Sequence, residues 1–512
     1  MKMKKICKVL FSRYSISALL ILVEVALAIF LFISMPTSVY SFIVLSVVLD
    51  IVSFLNLINK DANPEYKVSW GAVILFLPIG GTILYFLFYT RYISKREGRI
   101  IKETIEKIRE AGGENIHLSE LLCEDKLAAG KARAILADDP LARVYRKTEA
   151  RYFPSGEEYF DSLISDIGSA ERYIFLEYFI IDSGELWDKI HALLVKKAGE
   201  GVEVRLLFDD IGCMKTLPQK YEQTLRREGI SAYRFAKVNP RVSSMHQNRD
   251  HRKIAIIDGD IAYTGGVNIA DEYVNLKKRF GHWKDGGVRL SGEAVRGFLA
   301  LFLASWDSYA KMTSDYMSYL PKDPDARDDG GYYIPFGSGP APIYKRPVAK
   351  NIFLNIINQA TSYLYITTPY LVIDYDLTEA LCNAAKRGVD VRVVTPGIPD
   401  KRIVKIMTKS SYPYLIESGV KIYEYEGGFI HEKLVISDDK YSVIGTVNFD
   451  YRSLVHHFEC GVWSYGSPEN ARIKEEYFRT LERSSRISEK KSRLSFIEWI
   501  FRNLIRIFAP LL

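Results

Sequence analysis

Three long apolar runs open the chain, at residues 16–35, 39–58 and 68–89, each long enough to cross a bilayer as a helix. Beyond residue 96 the pattern changes to short apolar stretches set between polar ones. Tyr173-Ile174-Phe175-Leu176-Glu177-Tyr178-Phe179 reads as a strand, the stretch through Leu193-Leu194-Val195-Lys196-Lys197 as a helix, and Gly201-Val202-Glu203-Val204-Arg205-Leu206-Leu207 as a second strand. The succession returns from Tyr363-Leu364-Tyr365-Ile366, through Leu381 to Lys386, into Gly388-Val389-Asp390-Val391-Arg392-Val393-Val394. The chain therefore holds an internal repeat, joined in each copy at Gly-Val-acid-Val-Arg. Strand, helix, strand in each half predicts an α/β fold: two similar domains with mixed β-sheets flanked by helices, preceded by an N-terminal α-helical membrane region.

Boundaries follow the composition. Residues 1–95 form the membrane region, and 96–139 turn polar and read as a helical connector broken at Ala111-Gly112-Gly113. The two domains take 140–311 and 345–489, with a linker at 312–344 that is rich in Tyr, Asp, Gly and Pro. In the tail, 490–512, bulky apolar residues such as Leu494, Phe496, Trp499 and Phe501 alternate with Arg493, Arg502 and Arg506, the composition of a helix lying in a membrane interface. Basic clusters stand before the first apolar run (Lys2, Lys4, Lys5, Lys8, Arg13) and after the third (Arg91, Lys95, Arg96, Arg99, Lys102). The positive-inside rule puts both on the cytoplasmic side, which three full crossings forbid. Pro78-Ile79-Gly80-Gly81 breaks the third run at its centre and suits a re-entrant segment. The expectation is a multi-pass cell-membrane protein with two crossings, one re-entrant segment and its catalytic domains on the cytoplasmic side. Glu24 and Asp50 fall inside the first two runs, where a charge is costly, and read as a protonated pair between helices.

Composition narrows the partners. At 48% hydrophobic and 26% charged the 512-residue chain has an ordinary globular balance, so its membrane character is local. A formal net charge of +7 is mild for this length; it suits an anionic membrane surface and argues against nucleic acid. Five scattered cysteines (Cys7, Cys123, Cys213, Cys382, Cys460), with no pair at metal spacing, argue against a disulfide framework.

The chemistry rests on a motif that occurs twice. His251-Arg252-Lys253-Ile254-Ala255-Ile256-Ile257-Asp258 and the stretch from His431 to Asp438 both fit His-x-Lys-x4-Asp. Each is followed by a Gly-containing turn and an Asn, in Gly265-Gly266-Val267-Asn268 and Gly445-Thr446-Val447-Asn448. The residues after each His are apolar and partly β-branched, so each copy reads as a short buried strand, on which residues two apart share a face. His251 and Lys253 then point one way, as do His431 and Lys433. If the halves pack together, one pocket holds two imidazoles and two ammoniums. That pocket suits a single phosphodiester: one His attacks phosphorus, the other protonates the leaving oxygen, and the lysines neutralise the non-bridging oxygens. The scheme needs no metal and no other cofactor. Asp258 and Asp438 lie seven residues beyond their histidines, about 23 Å along a strand at roughly 3.3 Å per residue, and read as the turn that ends each strand. The orienting carboxylates must come from further on, with Asp285 for His251 and Glu459 for His431. Asn268 and Asn448 read as donors to phosphate oxygens. Glu177 and Tyr178 read as pocket wall, and His246 and His282 as peripheral.

This duplicated motif resembles the phospholipase D superfamily and, more finely, the bacterial cardiolipin synthases. The resemblance covers nearly the whole chain, through Asn63-Pro64, Leu77-Pro78-Ile79-Gly80, the stretches Gly265 to Tyr273 and Gly445 to Ser453, and the terminal Pro510-Leu511-Leu512. Three positions depart: Asp250 stands where such sequences commonly have Asn, Glu432 where a small residue is usual, and His457 where Asn normally precedes Phe-Glu. The resemblance implies a membrane-bound phosphatidyltransferase with His251, Lys253, Asp258, His431, Lys433 and Asp438 as its catalytic set. It would join two phosphatidylglycerols through a phosphatidyl-histidine intermediate, release glycerol, and have phosphatidylglycerol and anionic membrane lipids as partners. It also implies His251 as nucleophile and His431 as general acid. Glu459, with Glu432 acting through its field, is expected to raise the His431 pKa and keep the ring protonated. The alternatives are a phospholipase D hydrolase, or a phosphatidyltransferase with a different head-group alcohol, on the same residues. A nuclease of the superfamily is disfavoured by the apolar runs, and a non-catalytic membrane scaffold by two intact motifs.

Overall fold

The computed structural model describes residues 37–489, leaving out 61, 78, 90–94, 114, 237–247, 322–326 and 342, together with Ser495 and Ile500. It divides into two units, residues 1–89 and 90–512. In the first, helices span Thr37–Ile58, Pro64–Phe76 and Gly80–Phe88. Asn63 caps the second helix by accepting from the Glu65 N–H at 2.9 Å, and Pro64 sits in the first turn, where its missing N–H is not needed. The apolar run 39–58 lies within the first helix. The run 68–89 is split between the other two, and the chain turns there with Ile79 at φ 61°, a left-handed conformation rare for a β-branched residue; Pro78 lies outside the described residues. Gly81 lets these two helices meet, because a Cβ there would fall 2.0 Å from the Val73 carbonyl oxygen. Asp50 accepts a hydrogen bond from the Thr82 hydroxyl at 2.7 Å, a partner the apolar pattern did not suggest. Glu24, the run 16–35 and almost all of 490–512 lie outside the described residues. Among the described residues no helix is long and apolar enough to cross a membrane.

The second unit begins with helices Lys95–Ala111, Ile116–Glu124 and Lys126–Asp138. Asp125 caps the last of them, accepting from the N–H groups of Leu127 and Ala128. The first half then supplies β1 (Thr148–Phe153), β2 (Tyr173–Tyr178), β3 (Glu203–Asp209), β4 (Ser231–Phe235), β5 (Lys253–Ile257), β6 (Ile261–Gly265), β7 (His282–Lys284) and β8 (Gly287–Gly292). All but β7 form one sheet in the order β1-β8-β6-β5-β2-β3-β4. From the second half come β9 (Tyr332–Ser338), β10 (Tyr363–Thr367), β11 (Leu371–Val372), β12 (Asp390–Pro396), β13 (Lys421–Tyr425), β14 (Gly428–Ile430) and β15 (Leu434–Ser437). They are followed by β16 (Tyr441–Gly445), β17 (Phe449–Asp450), β18 (Glu459–Tyr465) and β19 (Ser484–Arg486). The second sheet runs β19-β13-β12-β10-β15-β16-β18-β9.

With the second order read in reverse the two correspond strand for strand, and β19 is added beyond β13. β2, β3 and β4 run parallel, as do β10, β12 and β13. The motif strands β5 and β15 pair antiparallel with β2 and β10 in the middle of each sheet, where every residue of all four is buried. This is why the motifs read as apolar runs and not as alternating ones. Helices Glu185–Gly199 and Tyr375–Lys386 make the parallel crossovers, so the mixed α/β repeat stands as expected. The stretch 312–344, read as a linker, is corrected in part: it carries β9, the counterpart of β1, which pairs with β18 along seven residues. One hydrophobic core runs through both halves, from Ile101 and Ile105 through Val288 and Leu290 to Val435 and Ile444.

Two backbone contacts join the halves where the motifs begin. β7 runs parallel to β14, so close that a Cβ on Gly428 would lie 1.9 Å from the His282 carbonyl oxygen. At the second contact Asp250 bridges to Phe458.

Candidate active site

These two contacts fix the histidines. The His251 N–H donates to the Phe458 carbonyl at 2.8 Å, and the His431 N–H to the Lys284 carbonyl at 2.7 Å. The residue after each acceptor is an acid. Glu459 therefore arrives beside His251, its two carboxylate oxygens 3.0 and 2.9 Å from Nδ1, and Asp285 beside His431, at 2.6 Å from Nδ1. This corrects the expected pairing: each half lends its carboxylate to the other half's imidazole. With Nδ1 held on both rings, Nε2 is the nitrogen left for chemistry.

The turns after each motif serve the acids. Gly266 leaves room for Asp285, whose Oδ1 would lie 2.0 Å from a Cβ at that position. At the matching place Thr446 donates its hydroxyl to Glu459. Lys253 donates to the His251 carbonyl at 2.6 Å, and the Lys433 ammonium lies 2.9 Å from His431 Nδ1. Both histidines and both lysines are buried, and each ring feels the ammonium of the other half as well as its own.

Burial sets the protonation states. It pushes the His431 imidazole down to about 4, helped by Lys433 and opposed by Asp285, and holds His251 well below the usual range, with Lys253 and His457 adding to it. The expectation that His431 would be raised is thereby corrected: removal from water and two ammoniums outweigh one carboxylate. Lys253 is pushed down to about 8 and Lys433 to about 7, again by burial. The two acids differ. Burial works against the Asp285 carboxylate, yet His431 and Lys433 keep it below the ordinary range, whereas burial pushes Glu459 well above it despite Lys253. The charged form is thus favoured for the carboxyl beside His431 and disfavoured for the one beside His251.

Glu432 points away from His431. It accepts from the Tyr152 hydroxyl at 2.5 Å, and burial raises it in the presence of Lys284. Asp258 and Asp438 do not reach the site, which corrects their inclusion in the catalytic set. The Asp258 carboxylate accepts from the N–H groups of Glu171, Arg172 and Tyr173, and Asp438 from those of Thr361, Ser362 and Tyr363, tying the end of each motif strand to the start of its neighbour. Asn268 is committed locally, accepting from the Ile180 N–H at 3.0 Å and donating to the Tyr273 hydroxyl at 2.6 Å. Asn448 hydrogen-bonds Asp450 and keeps a buried Oδ1 without a partner among the described residues. Glu177 and Tyr178 belong to the sheet interior, Glu177 3.7 Å from Arg252 and Tyr178 in the first-half core. His282 meets the Tyr425 hydroxyl at 3.1 Å, and His246 lies outside the described residues.

His457 is the residue the motifs did not announce, although its departure from the pattern marked it. Its ring centroid is 5.7 Å from that of His251, and its Nδ1 is 3.8 Å from Glu459. Ligand atoms of His251, His457 and Glu459 lie within 4.8 Å of one another, so the described residues do contain one group at metal-ligand spacing, which spacing along the chain had not suggested. Lys253 beside His251, and Arg452 and Arg249 beside His457, oppose a cation there.

Comparison with known proteins follows the same outline. A family model described as "Cardiolipin synthase, PLD-like domain" matches residues 163–279 and 353–481, and one for a phospholipase D-nuclease N-terminal region matches 48–88. A protein of Streptococcus mutans named only as uncharacterized is 39% identical over 466 residues, 90% of this chain and 99% of that one. A cardiolipin synthase of Halalkalibacterium halodurans is 33% identical over 466 residues, 88% of this chain and 90% of that one. Among solved structures, phosphatidylserine synthase from Haemophilus influenzae shares the fold with a TM-score of 0.57 at 14% identity, covering 75% of this chain and 98% of that one.

Proposed function

Because the chain belongs to the family of phospholipase D-like cardiolipin synthases, we propose that it transfers the phosphatidyl group of one phosphatidylglycerol to a hydroxyl of another, giving cardiolipin and glycerol. It is a phosphatidyltransferase of the phospholipase D type. In the first step Nε2 of His251 attacks phosphorus; a P–N bond forms, the P–O bond to glycerol breaks, and the departing oxygen takes a proton from Nε2 of His431. In the second, a hydroxyl of the incoming phosphatidylglycerol gives its proton to His431 and attacks phosphorus, and the P–N bond breaks. One phosphodiester is exchanged for another, so no ATP is consumed. Lys253 and Lys433 stand over the non-bridging oxygens and stabilise the charge that gathers there.

The observation that carries these roles is the inequality of the two acids. Asp285 opposes the fall of the His431 pKa to about 4, and an arriving phosphate anion raises it from there toward the protonated ring that an acid must be. Burial works against charge on Glu459, which holds His251 Nδ1 but does little to protonate the ring, and burial with Lys253 leaves that ring uncharged and ready to attack. Product analysis on phosphatidylglycerol vesicles tests the reading: cardiolipin and glycerol in equal amounts, and neither from His251→Ala or His431→Ala. Full activity in either variant ends the two-histidine scheme, and phosphatidic acid as the main product makes the protein a hydrolase. Rapid quench of His431→Ala with labelled lipid should place the label on His251.

The same reading takes residues 1–95 as the membrane region, with 68–89 re-entrant, the 490–512 tail in the interface and the catalytic unit facing the cytoplasm. The N-terminal family match over 48–88 supports it. Cysteine labelling from outside intact cells should miss sites placed at the N-terminus and in the catalytic unit; labelling of one alone would mean three true crossings.

A further inference from the structure

Resting on the phosphatidyl-histidine reading above, we propose that His457 is a third histidine of the active site and donates a ring N–H to a phosphoryl oxygen of the group carried on His251. His457 is 9% exposed, and neither of its ring nitrogens makes a hydrogen bond among the described residues. A buried imidazole left so is costly, and native structures seldom keep such a group without a use for it. Its surroundings name the partner. A ring nitrogen of His457, one of His251 and a carboxylate oxygen of Glu459 lie within 4.8 Å of one another. The two rings stand 5.7 Å apart between centroids, so a tetrahedral group carried on His251 can lie beside the His457 ring.

Charge selects an anion. His457 feels Arg452, Arg249 and Lys253 as positive neighbours, and His251 feels Lys253, Lys433 and His431. Burial and the same cations keep the His457 ring neutral, so it offers one N–H and keeps the other nitrogen as an acceptor. A neutral donor suits a phosphoryl oxygen whose negative charge grows during transfer, and it adds to the two ammoniums without another buried charge. Its 3.8 Å distance from Glu459 is too long for a hydrogen bond, so the ring is not already engaged by the carboxyl that serves His251.

The test compares His457→Phe, which keeps a ring and loses both nitrogens, with His457→Asn, which keeps an N–H donor but cannot titrate. Both are assayed as the full-length protein on phosphatidylglycerol vesicles. The expected result is a fall in kcat of about 10²–10³-fold for Phe, the size of losing one donor to a developing oxyanion, with KM changed far less. Asn should stay within about tenfold of the parent with an unchanged pH profile. Near-parental kcat in His457→Phe overturns the proposal. An Asn variant as slow as Phe, with one limb of the pH profile lost, also overturns it, because the ring would then be acting as an acid or base. Since either variant can misfold, the parent protein is also titrated with a water-soluble phosphodiester while its imidazole ¹⁵N resonances are followed, those of His457 being identified as the ones missing from the Asn variant. A shift on binding is expected, and none would count against the contact. Activity surviving in His251→Ala would instead defeat the phosphatidyl-histidine reading, a separate outcome.

Discussion

Asp285 and Glu459 occupy matching places beside an imidazole, yet the charged form is favoured for Asp285 and disfavoured by burial for Glu459. Glu459→Gln mimics a protonated acid, so transfer should stay within about tenfold of the parent, whereas Asp285→Asn should cost about 10²–10⁴-fold, as for a carboxylate that stabilises an imidazolium. Initial rates on mixed micelles decide it, and equal losses would remove the asymmetry. With a phosphatidyl ester of p-nitrophenol, whose leaving group needs no proton, the Asp285→Asn defect should largely vanish from the first step, read as the initial burst of p-nitrophenolate. The lysines give a pH dependence of known sign. Lys433 and Lys253, at about 7 and about 8 in the empty site, must be charged to meet an anion. Affinity for a water-soluble phosphodiester should therefore be level below about pH 7 and fall as the pH rises past these values, with protons taken up on binding there. Calorimetry in two buffers of different ionisation heat reads that uptake; affinity unchanged from pH 6 to 9 would contradict it.

At the scale of elements, the motif aspartates act on the strands and not on the substrate. Asp258 and Asp438 both sit at positive φ, 55° and 56°, where the turn leaves β5 and β15, and each ties three backbone N–H groups of a neighbouring segment to that turn. Asp258→Ala and Asp438→Ala should each destabilise the protein by about 1–3 kcal/mol, the worth of hydrogen bonds to a charged group, while the folded fraction keeps near-parental kcat. Thermal melts beside rates normalised to folded protein check this. A stable but inactive variant would return the aspartate to the catalytic set.

The whole second unit behaves as one body because each half completes the other. A common core, the β7–β14 pairing and the Asp250–Phe458 bridge all cross between halves, and the catalytic hydrogen bonds cross with them. Opening of the halves should be cooperative: amides of β5 and β15 should lose their exchange protection at the same denaturant concentration. Loss of protection in one motif strand well before the other would mean the halves open independently.

Much of this was legible in the chain itself. Strands, crossovers and the repeat depend on local pattern, so β2, β3, β10 and β12 stand where the apolar runs fall, although His251 and His431 lie just ahead of β5 and β15 and not on them. The seven-residue spacing already put Asp258 and Asp438 at the strand ends. Three matters needed the tertiary structure. β9 was hidden in a Tyr- and Gly-rich stretch because an edge strand draws its stability from its partner β18. The carboxylates cross because backbone pairing between distant segments, Phe458 with His251 and Lys284 with His431, chooses which acid follows. The His431 pKa falls, where neighbouring acids had suggested a rise, because burial is a property of the assembled pocket that adjacency along the chain does not measure.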